Sequence, residues 1–356
     1  MSRRNGHRLA DQDMRQSMSD AAPRAPAPIR PRARIAGELL PLAIFAGFAL
    51  VPLAAALGAQ AYILDLFTRV MIFSIAALGL DLIVGYGALI SFGHAAFIGL
   101  GAYAVGILAA HGIAEALLAL PVALVAATAF ALATGAVSLR TQGVYFIMIT
   151  LAFGQMAYFT ASSLAPYGGD DGLTIRAPDT VAGFAALADH RAFYYVVLAC
   201  LAGCYLLCRA IVVSRFGRVL RGARENPIRL GAIGFDVYRF QLVAYAISGA
   251  LGGLAGFLLA NHTEFVSPAY MSWQRSGELI IMVLLGGLGR LHGAILGAIV
   301  FLLIEEWLSG VTEHWKMIFG PFLVLVVLFA RGGLIGAWER IAARLQRKSH
   351  GVARDG

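Results

Sequence analysis

Again and again along this chain, an apolar run of roughly 17 to 25 residues, long enough to cross a bilayer as a helix, is set between polar or arginine-bearing segments. The runs lie at about 37–57, 62–84, 88–110, 116–138, 143–163, 193–212, 239–260 and 316–334, with a further apolar region at 277–308. Within lipid every backbone N–H and C=O has to be satisfied internally, and runs of this length do so as helices. The fold class expected is therefore an all-α integral membrane protein, a polytopic bundle of about 8–10 transmembrane helices with short or broken members. Only 13% of the residues are charged and 59% are hydrophobic, against about a quarter charged in soluble domains. The formal charge of +8 would point to nucleic acid in a soluble protein, but here the arginines flank the spans, so no nucleic-acid partner is expected.

Those arginines set the orientation, because cytoplasmic segments of membrane proteins carry the excess of Lys and Arg. Residues 1–35, rich in Arg, Pro, Ala and Ser and without hydrophobic periodicity, read as a disordered basic tail. The segment between the sixth and seventh runs carries Arg215, Arg218, Arg221, Arg224 and Arg229, and the C-terminal stretch carries Arg331, Arg340, Arg344, Arg347 and Lys348. All three read as cytoplasmic, in an inner membrane, with both termini inside. The transmembrane domain is expected over 36–335, with a cytoplasmic loop at about 213–238. Residues 336–356 read as a basic amphipathic segment, Trp338, Ile341 and Leu345 lying opposite Arg340, Arg344 and Arg347. Both membrane lipid and protein are possible contacts for such basic segments.

This orientation requires the 277–308 region to return to the side where it began. GGLGRLHG (286–293) interrupts it with glycines, Arg290 and His292, which is a hairpin dipping toward the cytoplasm; the spacing leaves open whether its limbs are full spans or half-helices. Close helix packing is written into Gly249, Gly253 and Gly256 and into Gly289, Gly293 and Gly297, small residues at helical spacing. Cys200, Cys204 and Cys208 share one helix face without further ligands at their depth, so they read as packing residues, with no metal site.

No HExxH, no GxSxG and no buried carboxylate pair is present, so catalysis by this chain is not expected. A phosphate-binding loop needs a lysine after glycine and before Ser or Thr, and neither Lys316, followed by Met317, nor Lys348, preceded by Arg347, fits. Any ATP and Mg would have to be bound by another subunit, with no cofactor on this chain. Ionisable groups within spans, as an ion-coupled carrier needs, are few: Asp65, Arg69, Asp81 and His94.

Four blocks in order then carry a resemblance: GLDLIVGYGALISFGHAAFIGLGAY (79–103), GVYFIMITLAFGQMAY (143–158), SRFGRVLRGARENPIRLGAIGFDVYRFQLVAYAISGALGGLAG (214–256) and ELIIMVLLGGLGRLHGAILGA (278–298), with YGGDDGLT (167–174) between the second and third. Over roughly 36–335 the chain resembles the permease subunits of branched-chain amino acid ABC importers, of the LivM type. The resemblance implies a second, similar permease, two cytoplasmic ABC ATPases and a periplasmic substrate-binding protein as partners. It also implies that the loop holding Arg218, Arg221, Arg224, Glu225, Asn226, Pro227, Ile228 and Gly234 docks into a cleft on an ATPase. The residues agree with that: Asn226-Pro227 is a helix start, and Ile228–Ile233 suits a short helix lying flat on a partner, with arginines around it meeting acidic groups. The plainer alternative is that the arginines only orient the chain or contact lipid.

Translocation-path candidates are Ser91, His94 and Gln155. His94 has the alternative of a hydrogen-bonded place inside the bundle, and Gln155 is expected to hydrogen-bond another helix. Asp81 stands where the family often has asparagine, as a neutral hydrogen-bonding position turned acidic or as a residue near a helix end. Gly169, Asp170 and Asp171 are outer-loop candidates for contact with the binding protein, or a plain exposed turn. The expected function is a permease for branched-chain amino acids. The alternatives are a urea or short-amide importer permease and, in a different class, an autonomous carrier or channel.

Overall fold

The computed structural model describes residues 31–56, 61–175, 179–180, 189–312, 314, 317–321, 324 and 332–336. The chain divides into two compact units, Met1–Ala43 and Ile44–Gly356. The described part of the first is helical, and the second holds the remaining elements. In order these are α1 (Pro31–Ala56), α2 (Ala61–Val84), α3 (His94–Ala110), α4 (Ala116–Ser138), α5 (Val144–Ser163), α6 (His190–Val213), α7 (Arg215–Glu225), α8 (Pro227–Ala232), α9 (Val237–Thr263), α10 (Trp273–Gly286) and α11 (Leu291–Val311). Two short strands, β1 (Leu173–Thr174) and β2 (Phe265–Val266), pair antiparallel.

The protein is an all-α polytopic bundle. Among the described residues six helices are long and apolar enough to cross a membrane, α2, α4, α5, α6, α9 and α11, while α3 and the apolar part of α1 (Leu40–Pro52) are shorter. Helix begins at Pro31, inside the stretch read as tail, whose residues 1–30 lie outside the described residues. The expected last span, 316–334, and the segment 336–356 fall largely outside them too.

α9 is the axis. Its glycines let backbones meet: a Cβ on Gly256 would collide with the Ile98 carbonyl on α3, and one on Gly253 would come 2.6 Å from the Ala127 Cβ on α4. Ala119, Ala123, Ala127 and Ala131 form the matching stripe on α4, all without solvent exposure. Where both faces are this small, contact is backbone against backbone, and dispersion has no side-chain slack to lose. Ser248 adds a directed bond, its hydroxyl donating to the Gly79 carbonyl of α2 at 2.6 Å.

One expectation changes at this level, and one question left open by the spacing is answered. The run at 88–110 is helical only from His94; residues 85–93 form a turn and an irregular passage, with Ala88 in the left-handed region at φ 56°. The 277–308 region is a hairpin with unequal limbs. The 14 residues of α10 rise only about 21 Å, short of a full crossing, whereas the 21 residues of α11 reach about 31 Å.

Contacts also sort the ends of the bundle. The 85–87 turn, α7, the α10–α11 turn and Gly332–Gly333 meet at one end. At the other, β1 pairs with β2, Thr180 pairs with Ala114 (2.9 Å), and Arg69 of α2 lies 3.7 Å and 3.9 Å from Glu305 and Glu306 of α11.

Candidate functional site

The break between α2 and α3 is held by side chains from three helices. A helix start leaves N–H groups without partners, and here neighbouring helices supply acceptors. The Phe92 N–H donates to Thr150 Oγ1 of α5 (3.3 Å), and the Ala95 N–H donates to Ser276 Oγ of α10 (3.0 Å). Ser91 Oγ and the Tyr245 hydroxyl of α9 are 3.3 Å apart. Gly93 lies so close to the Thr150 carbonyl that a Cβ there would collide with it. Thr150, Tyr245 and Ser276 were not singled out in the sequence; the signal they offered was a polar atom inside an apolar span, which needs a partner on another helix.

His94 opens α3 and has no solvent exposure. Its ring stands edge-on to Phe97 with centroids 5.2 Å apart and faces the backbone of Ala76, but neither nitrogen makes a hydrogen bond of normal geometry among the described residues. It is therefore a packed ring beside the break. This is the place inside the bundle, beside the break, that was weighed for it in the sequence, with the Ala76 backbone next to its ring. Ser91 joins it in the interior, while Gln155 lies apart, half-buried on α5 and without a hydrogen-bond partner among the described residues. Among the described residues the expected bond to another helix is missing, and Gln155 shares a stretch of α5 with Met156 and Phe159, both 62% exposed and covered by no described helix.

At the arginine end, α7 is amphipathic: Val219, Leu220 and Ala223 are buried, and Arg215, Arg218, Arg221 and Arg224 alternate with them at helical spacing. Ser214 accepts from the Gly217 N–H to start it. Asn226 Oδ1 accepts from the Arg229 N–H at 2.9 Å, with Pro227 in the first turn, and so starts α8. Gly234, at φ 93°, turns the chain out of α8, a conformation glycine adopts without a Cβ penalty. The result is a short helix with Ile228 85% and Ile233 67% exposed. Arg218, Glu225 and Arg229 are exposed as well.

Arg221 and Arg224 instead reach back to their own chain. Arg221 Nη2 donates to the Val212 carbonyl at 2.6 Å and its guanidinium sits 5.8 Å from the centre of the Tyr86 ring, while Arg224 donates to the Gly85 carbonyl. Asp81, fully buried on α2, accepts from the Gly289 N–H at 2.8 Å through Oδ1.

At the far end, Gly168, Gly169 and Gly172 all take positive φ and build a tight turn that leaves Asp170 and Asp171 exposed. Cys204 and Cys208 are buried and free in α6, with Cys200 half-buried, as packing residues would be.

Long apolar helices, a broken core segment closed by polar side chains, and an arginine-rich amphipathic helix across one end define a polytopic membrane permease. A family model for the branched-chain amino acid transport system permease component matches residues 62–329, and the chain belongs to that family. The high-affinity branched-chain amino acid transport system permease protein LivM of Escherichia coli is 28% identical over 298 residues, 76% of this chain and 69% of that protein. The probable branched-chain amino acid transport permease protein LivH of Methanocaldococcus jannaschii is 32% identical over 162 residues, 41% of this chain and 48% of its own length. A probable LivM of the same organism is 27% identical over 189 residues, 49% of this chain and 55% of its own length. No solved structure matches significantly.

Proposed function

We propose that this chain is one of two homologous permease subunits of an ATP-driven importer for branched-chain amino acids. It would sit in a bacterial inner membrane with both termini in the cytoplasm, so that α7 and α8 face the cytoplasm and the Asp170–Asp171 turn faces the periplasm. ATP and Mg are bound by a pair of cytoplasmic ATPases, and a periplasmic binding protein delivers the substrate at the outer turn. That relatives named LivM and LivH both match this chain supports a pair of similar permeases.

The observation that carries this reading is α8: two isoleucines, Ile228 and Ile233, stand in the open on a short helix flanked by Arg229 and Arg218. An exposed apolar pair framed by cations suits a cleft with apolar walls and an acidic rim. ATP-driven closure of the ATPase pair would then displace α7 and α8 and shift the bundle between outward- and inward-open states, since each partner binds one state better than the other.

The test is purification of the tagged chain from its native membrane with mass spectrometry of its companions. An ATPase and a second permease are expected, and the accompanying binding protein can be assayed for leucine against urea. A stable chain recovered alone, whose uptake an ionophore dissipates, would overturn the reading in favour of an autonomous carrier.

A further inference from the structure

Three separate stretches of chain meet below the core at the arginine end. Arg224, in the last turn of α7, donates to the Gly85 carbonyl just beyond α2. The Gly85 N–H returns to the Asp81 carbonyl at 2.7 Å, and Asp81 Oδ1 accepts from the Gly289 N–H, 208 positions away, at 2.8 Å. At Gly85 there is no room for a side chain. A Cβ on Gly85 would collide with both Asp81 Oδ1 and the Gly289 nitrogen, and one on Gly289 would lie 3.2 Å from the Gly85 oxygen and 3.6 Å from Arg224 Nη1. Gly289 itself sits at φ 74°, so the α10–α11 turn can take this path only with glycine there. Asp81 is wholly buried, and its second oxygen has no hydrogen-bond partner among the described residues.

We propose that Arg224 and Asp81 are positioning residues for transport: Arg224 fastens the amphipathic helix to the break after α2, and Asp81 fastens that break to the α10–α11 hairpin, so that the three move together. The physical reason is directness. Hydrogen bonds are short-ranged and directional, and a buried N–H that loses its acceptor is costly, so displacement of α7 is not absorbed at Gly85 but passed to Gly289. Gly85 and Gly289 in addition meet backbone to backbone, and that contact has no rotamer to take up the strain. From the 85–87 turn, the same stretch of chain continues into Ser91, Phe92 and Ala95, which are bonded to α9, α5 and α10. The proposal rests on the reading that α7 and α8 ride on an ATPase, and it assigns a different task to their inner face.

The test uses the whole complex, reconstituted in vesicles with its binding protein, and reads substrate taken up per ATP hydrolysed alongside the ATPase retained. Arg224→Ala and Asp81→Ala are expected to keep the ATPases bound while uptake per ATP falls about tenfold or more, the effect of losing one charge-assisted hydrogen bond. Asp81→Asn keeps an oxygen facing Gly289 and should restore the ratio to within about threefold of wild type. A merely structural role would lower the amount of folded complex without changing that ratio. An unchanged ratio in Arg224→Ala, or Asp81→Asn failing as badly as Asp81→Ala, would overturn the proposal. If Asp81→Ala does not assemble, the exposed Arg224 and the Asp81→Asn variant decide. Loss of the ATPases from Arg224→Ala would make that arginine a docking contact instead. Ile228→Glu separates the two readings: retention of the ATPases there sinks docking through α8, while the ratio in the Arg224 and Asp81 variants still judges the inner contacts.

Discussion

Asn261 and Asp179 hold each other in both directions: the Asp179 N–H donates to Asn261 Oδ1 at 2.8 Å, and Asn261 Nδ2 donates to Asp179 Oδ2 at 3.2 Å. Asn261 lies near the end of α9, and Asp179 belongs to the long connection between α5 and α6. Together with the Leu173–Val266 and Thr174–Phe265 pairing and the Thr180–Ala114 bonds, the pair ties that connection to the axis helix on one side and to the start of α4 on the other. The turn displaying Asp170 and Asp171 is thus mounted on the same helix whose glycines organise the core.

Asp179 is outside the spans and almost wholly buried, with Oδ1 unbonded among the described residues. Burial raises its carboxyl above the ordinary carboxylate range, and the Asn261 amide opposes this only in part. The folded protein therefore holds the proton more tightly than the unfolded chain does. The stability this site contributes is full below the ordinary carboxylate pKa and is lost as pH rises through the raised folded value. Asp179→Asn abolishes the titration, so its melting temperature relative to wild type should climb as the pH is taken from below that range to above it. Thermal melts in detergent over a pH series check this; a difference that narrows with rising pH would contradict it.

Helix packing gives a paired prediction. Gly256→Ala drives a methyl into the Ile98 carbonyl, whereas Gly203→Ala on α6 meets nothing within 4 Å. Overfilling a closed backbone contact costs about 1–3 kcal/mol, so Gly256→Ala should melt well below wild type. Gly203→Ala should match or exceed wild type, because alanine favours helix by about 1 kcal/mol over glycine. Equal melting of the two variants would show that α3 and α9 have room to separate.

The spans were legible because a bilayer demands about twenty apolar residues, and α4 matches its expected run 116–138 at both ends. The α10–α11 hairpin was legible from the glycines and arginine at 286–293. The break was not: Ala88, Leu89, Ile90 and Phe92 are as apolar as a span, and only the positive φ at Ala88 and the partners on α5, α9 and α10 make the passage irregular. Likewise the spacing of Arg218, Arg221 and Arg224 gives an amphipathic helix but not the direction in which each guanidinium turns; Arg221 and Arg224 turn inward because free carbonyls at Val212 and Gly85 lie within reach. Pairings such as Asp81 with Gly289, far apart in sequence, leave no local pattern to read.

Ser91 and Tyr245 offer a measurable coupling in the core. Each hydroxyl is buried, and each is the other's partner across α9 and the break. Ser91→Ala and Tyr245→Phe should each destabilise by about 1 kcal/mol, and the double variant should cost less than the sum by a similar amount. Strict additivity in a double-mutant cycle, read by thermal or denaturant melts, would mean that the 3.3 Å contact carries no energy.

The exposed face of α8 carries the last prediction. Ile228 touches little of its own chain, so Ile228→Glu should leave the fold and membrane insertion as they are, a surface change worth no more than about 0.5 kcal/mol. If that face sits in an ATPase cleft, the same change buries a carboxylate against apolar walls and an acidic rim, which is costly without a compensating partner. ATPase recovered with the tagged permease should then fall by about tenfold or more, each 1.4 kcal/mol being one factor of ten. Ile228→Val, which keeps an apolar side chain, should retain it. A permease carrying Ile228→Glu that still brings down its ATPase at wild-type yield would place the docking surface elsewhere, and the exposed Arg218 and Arg229 would be the next to examine by the same measurement.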